Sequence, residues 1–234
     1  MPISYVIVWI VLIIVVVGAL GARASRKLRA QVTNLAASLG FQQLNGMEAF
    51  TRRTPEALRQ AAAEQREKLP ELVRAYVERS VDRRAAAASC LAGVVDGVQI
   101  TIYAETRGSG RSASTFTVVR ADYPKPLPFE LQIGYEGTFT RLGKELFGLS
   151  DVEIGDAEFD RAVRIKAADE AGARAALDKP GARDAILGLL ALSKSAYATN
   201  VCAQWEQGGT HFAEPNTRAR IAAVTAVART LGNG

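Results

Sequence analysis

Between Met1 and Ala22 the chain has no charged side chain, and 13 of the 18 residues from Ile3 to Leu20 are Ile, Val or Leu. Few folds tolerate such a run. At 1.5 Å per residue a helix of this length reaches about 30 Å, the thickness of a bilayer's hydrocarbon core. Thirteen such residues favour insertion by at most about 4 to 8 kcal/mol. Tyr5 and Trp9 lie toward one end of the run, where amphipathic rings prefer the headgroup region. The competing reading is a cleaved signal peptide, with Ala19, Gly21 and Ala22 as small residues at a cut site. Two features weigh against it. A signal peptide has a basic n-region, which Met1 to Tyr5 lacks, and an apolar stretch of only ~7 to 15 residues. The sequence therefore predicts a transmembrane anchor over residues 1–22.

Orientation follows from the flank. Arg23, Arg26, Lys27 and Arg29 come directly after the span, and no basic side chain precedes it. Lys and Arg are retained on the cytoplasmic side, so a single-pass protein with its C-terminal bulk in the cytoplasm is expected at the cell membrane. The same four side chains could also lean on anionic headgroups, although a topology signal alone accounts for them. Residues 23–84 carry 13 Lys/Arg against 7 Asp/Glu, a balance of +6, whereas residues 85–234 carry 16 against 17, a balance of −1. A nucleic-acid binder keeps its basic residues clustered on the folded domain, so the overall +5 does not point to nucleic acid. The expected partners are the lipid bilayer and an unidentified protein.

The rest of the chain predicts an α+β protein: a basic helical juxtamembrane region over 23–84, then an antiparallel-sheet domain over 85–234 with flanking helices and a C-terminal helix. Leu28, Val32, Leu35 and Leu39 recur at helical spacing before Gly40, which reads as a short amphipathic stalk. Thr54-Pro55-Glu56 opens an Ala-rich helix to about Lys68, and Leu72 to Val77 marks another apolar face. Packing of these segments on the domain is expected over an extended stalk. Period-two alternation begins near Ala87. It predicts strands at Val98–Tyr103 and Thr115–Arg120 joined as a long hairpin, at Phe129–Ile133, and at Phe159–Lys166. Helical spacing returns over Ala171–Leu177 and Ile186–Leu192, a final hairpin turns at Gly208-Gly209, and Pro215 opens the last helix.

Chemistry is harder to find. Cys90 and Cys202 are 112 positions apart with no CxxC, and the chain has one histidine, so structural zinc has no ligand set. Two buried thiols in strands are expected rather than a disulfide. A Ser-His-Asp arrangement would have to use His211 as its base, and no serine stands in a GxSxG elbow. Gly108-Ser109-Gly110-Arg111 lacks the Lys-Ser/Thr and following helix of a P-loop and reads as a hairpin tip. Asp151, Glu153, Asp156, Glu158 and Asp160 crowd one segment without the spacing of a calcium loop, and read as a solvated face. No catalytic, cofactor or metal residue is predicted. A non-enzymatic membrane-bound module is favoured, with a hydrolase built on His211 or an anionic-lipid sensor as alternatives.

Leu91-Ala92-Gly93, Asp96-Gly97-Val98, Gly108-Ser109-Gly110-Arg111, Leu127-Pro128-Phe129-Glu130-Leu131, Phe147-Gly148, Asp151-Val152 and Phe159-Asp160 follow an order that resembles a widespread group of bacterial proteins, often membrane-anchored and without an assigned activity. The resemblance covers Leu91 to about Leu192. It departs at Gln132-Ile133-Gly134, where many of the group have Arg-Pro-Glu. It implies a bacterial source and a folded domain, and no activity.

Overall fold

A computed structural model describes residues 27–44, 90–108, 113–135 and 149–232. The apolar run, Arg23, Arg26 and the helices expected between Thr54 and Val77 lie outside these residues. Among the described residues no helix is long and apolar enough to cross a membrane.

Helix α1 occupies residues 27–39. Its end follows from Gly40, whose φ of 66° is open to a residue without Cβ. Gly40 N–H donates to Ala37 O and Phe41 N–H to Ala36 O, the paired bonds that satisfy the last carbonyls of a helix closed by a left-handed residue. Val32 and Leu35 are buried in the main core, so the segment read as a stalk packs on the domain. Lys27 and Arg29 face solvent. The next residues, Gln42–Leu44, form a short strand, β1.

The remaining elements are β2 (Cys90–Val95), β3 (Val98–Arg107), β4 (Ser114–Asp122), β5 (Leu131–Gly134), β6 (Ser150–Asp151), α2 (Ala157–Ala162), β7 (Arg164–Ala167), α3 (Glu170–Leu177), α4 (Ala182–Leu192), β8 (Tyr197–Thr199), β9 (Cys202–Gly208) and α5 (Glu214–Gly232). The nine described strands form one sheet in the order β1-β2-β3-β4-β9-β8-β5-β7-β6. Every pairing is antiparallel. The α+β class with an antiparallel sheet is therefore what the chain forms, and β3 and β4 make the expected hairpin.

Register sorts side chains by face, because neighbours along a strand point to opposite sides. One row runs Ile100, Ala121, Ala203, Ala198, Ile133 and Ile165 across successive strands. A second runs Leu91, Ile102, Val119 and Trp205. These side chains share one continuous core with Val32 and Leu35 of α1, Phe159 of α2, Leu177 of α3, Leu189 of α4 and Val224 of α5. All described helices thus contribute to one face. Along α5 the stripe Ile221, Val224, Ala228 and Leu231 is buried, as its spacing requires.

Three expectations need correction. Phe159–Lys166 is not one strand: Asp156 caps α2 by accepting from the N–H groups of Glu158 and Phe159, and β7 begins only at Arg164. Phe159 and Val163 are a helical i, i+4 pair, while Val163 and Ile165 have strand spacing, so the period changes at Val163. The final hairpin turns at Asn200-Val201 between β8 and β9, not at Gly208-Gly209, and His211 lies in the connection to α5. The strand expected from Phe129 begins only at Leu131.

Candidate functional site

The sheet's other face is polar to an unusual depth. Thr101 pairs across β3–β4 with Arg120, which pairs with Gln204, and Val118 pairs with Glu206. Thr101, Gln132, Gln204 and Glu206 are all buried. Arg107 forks onto Glu206 at 2.9 and 3.2 Å and reaches Glu105 at 3.0 Å, and Arg120 Nε is 2.7 Å from Asp122 Oδ1. Such bidentate pairing is how a carboxylate becomes tolerable inside a protein. Burial pushes the Tyr103 and Tyr197 phenols and the Cys202 thiol up, so all three stay neutral near pH 7. Two acceptor or donor atoms here, Thr101 Oγ1 and Gln132 Oε1, have no partner among the described residues. Arg107 of β3 reaches across β4 to Glu206 of β9, which pins the register of the three strands, whereas the Arg107–Glu105 and Arg120–Asp122 pairs lie within single strands.

Both cysteines lie on this face as buried thiols in strands, as expected. Cys90 stands opposite Tyr103 on β3, and Cys202 opposite Asp122 on β4. They are separated by three strand spacings of about 4.8 Å, well beyond the ~7 Å Cα limit for a disulfide.

An open groove lies elsewhere, at the edge of the helical face. Its volume is about 330 Å³. α5 supplies Ile221, Ala222, Thr225 and Ala226, the end of α1 supplies Leu39 and Phe41, and the β2–β3 turn supplies Val95 and Asp96. The turn has a local cause: Asp96 and Gly97 have φ of 50° and 79°, the two positive values of a type I′ hairpin, for which Asp-Gly is a preferred pair. Arg218 and Arg229 stand toward the two ends of α5's share of the lining. Arg218 Nη2 donates to Ser38 O at 2.7 Å and to Glu214 Oε1 at 2.9 Å, which ties α5 to α1. Arg229 Nη1 is 3.4 Å from Asp96 Oδ2. Both guanidinium groups are about half exposed. Thr225 is buried, with 3% exposure, and its Oγ1 has no hydrogen-bond partner among the described residues. A mostly apolar cleft with a few convergent polar groups is the usual form of a binding site.

The residues singled out from sequence do not converge on the groove. His211 Nε2 is 2.6 Å from Gly208 O, its backbone N–H donates to Thr117 Oγ1 at 2.8 Å, and its carbonyl accepts from Arg220 at 3.1 Å. Those contacts stitch the β9–α5 connection. Arg220 also stacks over Trp205 at 3.8 Å. The acidic segment is spent locally: Asp156 caps α2, Asp160 accepts from Ile154 N–H and Gly155 N–H, and Asp151 pairs with Arg164. Among the described residues no cluster of three potential metal ligands occurs. Sequence reasoning missed the groove because its walls come from three distant segments. The local signals were Asp96-Gly97 and the i, i+4 pair Ala222 and Ala226.

The fold therefore defines a class, an α+β domain whose single antiparallel sheet carries its helices on one face. No protein-family model and no curated protein matches the chain. Among solved structures, it is similar to the crystal structure of the mycobacterial trehalose monomycolate transport factor A, TtfA, with a TM-score of 0.52 and 11% identity. That match covers 88% of this chain and 95% of the other, and at this identity the likeness is one of fold.

Proposed function

We propose that the protein is a non-enzymatic, single-pass membrane protein whose domain docks a protein partner at the cytoplasmic face. The observation that carries this reading is the uncharged run Ile3–Leu20 followed at once by Arg23, Arg26, Lys27 and Arg29. The last two stand exposed on α1, a helix whose other side is in the domain core. Only six residues separate Leu20 from Lys27, at most about 20 Å of chain, so an inserted run holds the domain close to the bilayer. Tethering raises the local concentration of a weak binder, and a shallow groove is then enough.

The test is fractionation and topology. Full-length protein tagged at its C-terminus should sediment with membranes, resist extraction by high salt and be released by detergent. The tag should be digested in opened cells and protected in intact spheroplasts. Recovery in the supernatant, or digestion from outside, would overturn the reading.

A further inference from the structure

Building on this docking role, we propose that the groove along α5 receives an amphipathic α-helix of a partner protein. That helix is apolar on its inner face and carries two carboxylates about three turns apart. The groove's floor is apolar, from Leu39, Phe41, Val95 and Ile221. Ala222 and Ala226 are exposed one turn apart on α5, and small residues at that spacing let a second helix approach closely, as a helix laid in a groove requires.

Charge decides the occupant. Arg218 and Arg229 are eleven residues apart, which on a helix is about 16 Å and close to three whole turns, so both guanidinium groups lie on one side of α5. Their bonds to Glu214 and Asp96 are exposed pairs of the kind worth little, which leaves donors for a partner's carboxylates. A second copy of this chain fits badly. Two α5 helices crossing antiparallel at Ala222 and Ala226 would set each Arg218 against an Arg229, and like charges at both ends disfavour the pair.

The experiment uses the full-length protein in its own membrane, with a photo-crosslinking amino acid in place of Ala222 and, in a parallel sample, in place of Val94. Val94 is well exposed and stands on the other face of the sheet. The crosslinked segment is mapped by mass spectrometry. The expected result is capture from Ala222 of a predicted amphipathic helix with carboxylates three turns apart. Arg218→Glu with Arg229→Glu lowers that yield at least about tenfold, and changing the partner's two carboxylates to Lys restores it. Crosslinking only within the same molecule, to its own residues 45–89, or only to a second copy, to lipid or to a segment without carboxylates overturns the proposal, as does a yield indifferent to charge reversal. Capture of a protein from Val94 but not Ala222 overturns the groove assignment and leaves the docking role standing. Capture from neither position overturns both.

Discussion

Thr101 and Thr117 offer an opposed pair of substitutions. Both are fully buried in adjacent central strands. Thr117 Oγ1 donates to Gly209 O at 2.9 Å and accepts from His211 N–H at 2.8 Å, whereas Thr101 Oγ1 has no partner among the described residues. Replacement by Val keeps the branch at Cβ and the strand preference, and deletes only the hydroxyl. For Thr101 the deletion removes a desolvated, unpaired group worth about 1 to 3 kcal/mol. Thr101→Val should therefore stabilise the fold by about 1 kcal/mol or more. For a domain of this size each kcal/mol moves the midpoint by about 2 to 4 °C, a shift readily measured. Thr117→Val strands a carbonyl and an N–H, and should destabilise by about 1 to 3 kcal/mol. The assay is thermal unfolding of the full chain in detergent, followed by circular dichroism with the wild type alongside. A lowered or unchanged midpoint for Thr101→Val would show that the hydroxyl is satisfied and refute the reasoning. Equal shifts of the same sign for the two variants would do so more strongly.

Three further substitutions test other parts of the structure. Leu35 is 2% exposed on α1, so Leu35→Ala should cost about 2 to 5 kcal/mol in denaturant unfolding, whereas a helix standing free as a stalk would lose almost nothing. A Cβ on Gly93 would lie 2.2 Å from the Phe41 ring, and Gly93→Ala should cost about 1 to 3 kcal/mol by overpacking the α1–β2 contact; an unchanged unfolding midpoint would mean the ring is not there. Hydrogen bonding to Arg164, aided by Lys166, holds the Asp151 carboxyl below its ordinary value. A depressed carboxylate adds stability that is complete above the unfolded pKa near ~3.9 and is lost as pH falls through the folded value. An NMR titration should place Asp151 below that value, and Arg164→Gln should bring it back up.

The elements most legible in the sequence are those long enough to complete several periods. β3 and β4 alternate over 10 and 9 residues, and α5 repeats its apolar stripe through 19. Short elements failed for the same reason. β1 has three residues, of which only Leu44 is buried, and cannot display a period of two; it is a strand by pairing with β2. At Phe159–Lys166 two elements share one run, and the capping carboxylate of Asp156 was the signal that outranked alternation. Gly208-Gly209 resembled a hairpin turn, but Gly209, with φ of 94°, redirects the chain toward α5. The groove was not legible, since Leu39, Asp96 and Arg218 meet only when the sheet orders its strands. The unpaired hydroxyl of Thr225 has no sequence signature, because threonine in a helix usually bonds its own backbone.

α1 joins the two halves of the functional reading. At one end are the exposed Lys27 and Arg29, six residues from the apolar run. At the other end, thirteen residues or about 20 Å further on, Leu39 and Phe41 form a wall of the groove. With the run inserted, the groove lies within about 40 Å of the bilayer, the sum of that helix and a connector of at most about 20 Å. Val32 and Leu35 lock the helix into the core, and Arg218 bonds the backbone at Ser38, so the groove follows the helix and does not swing on a linker. If the proposed anchor holds, a partner helix that reaches the groove lies near the membrane itself. Both molecules are then confined to the same thin layer, and encounter is set by their density in the membrane instead of their concentration in the cytoplasm.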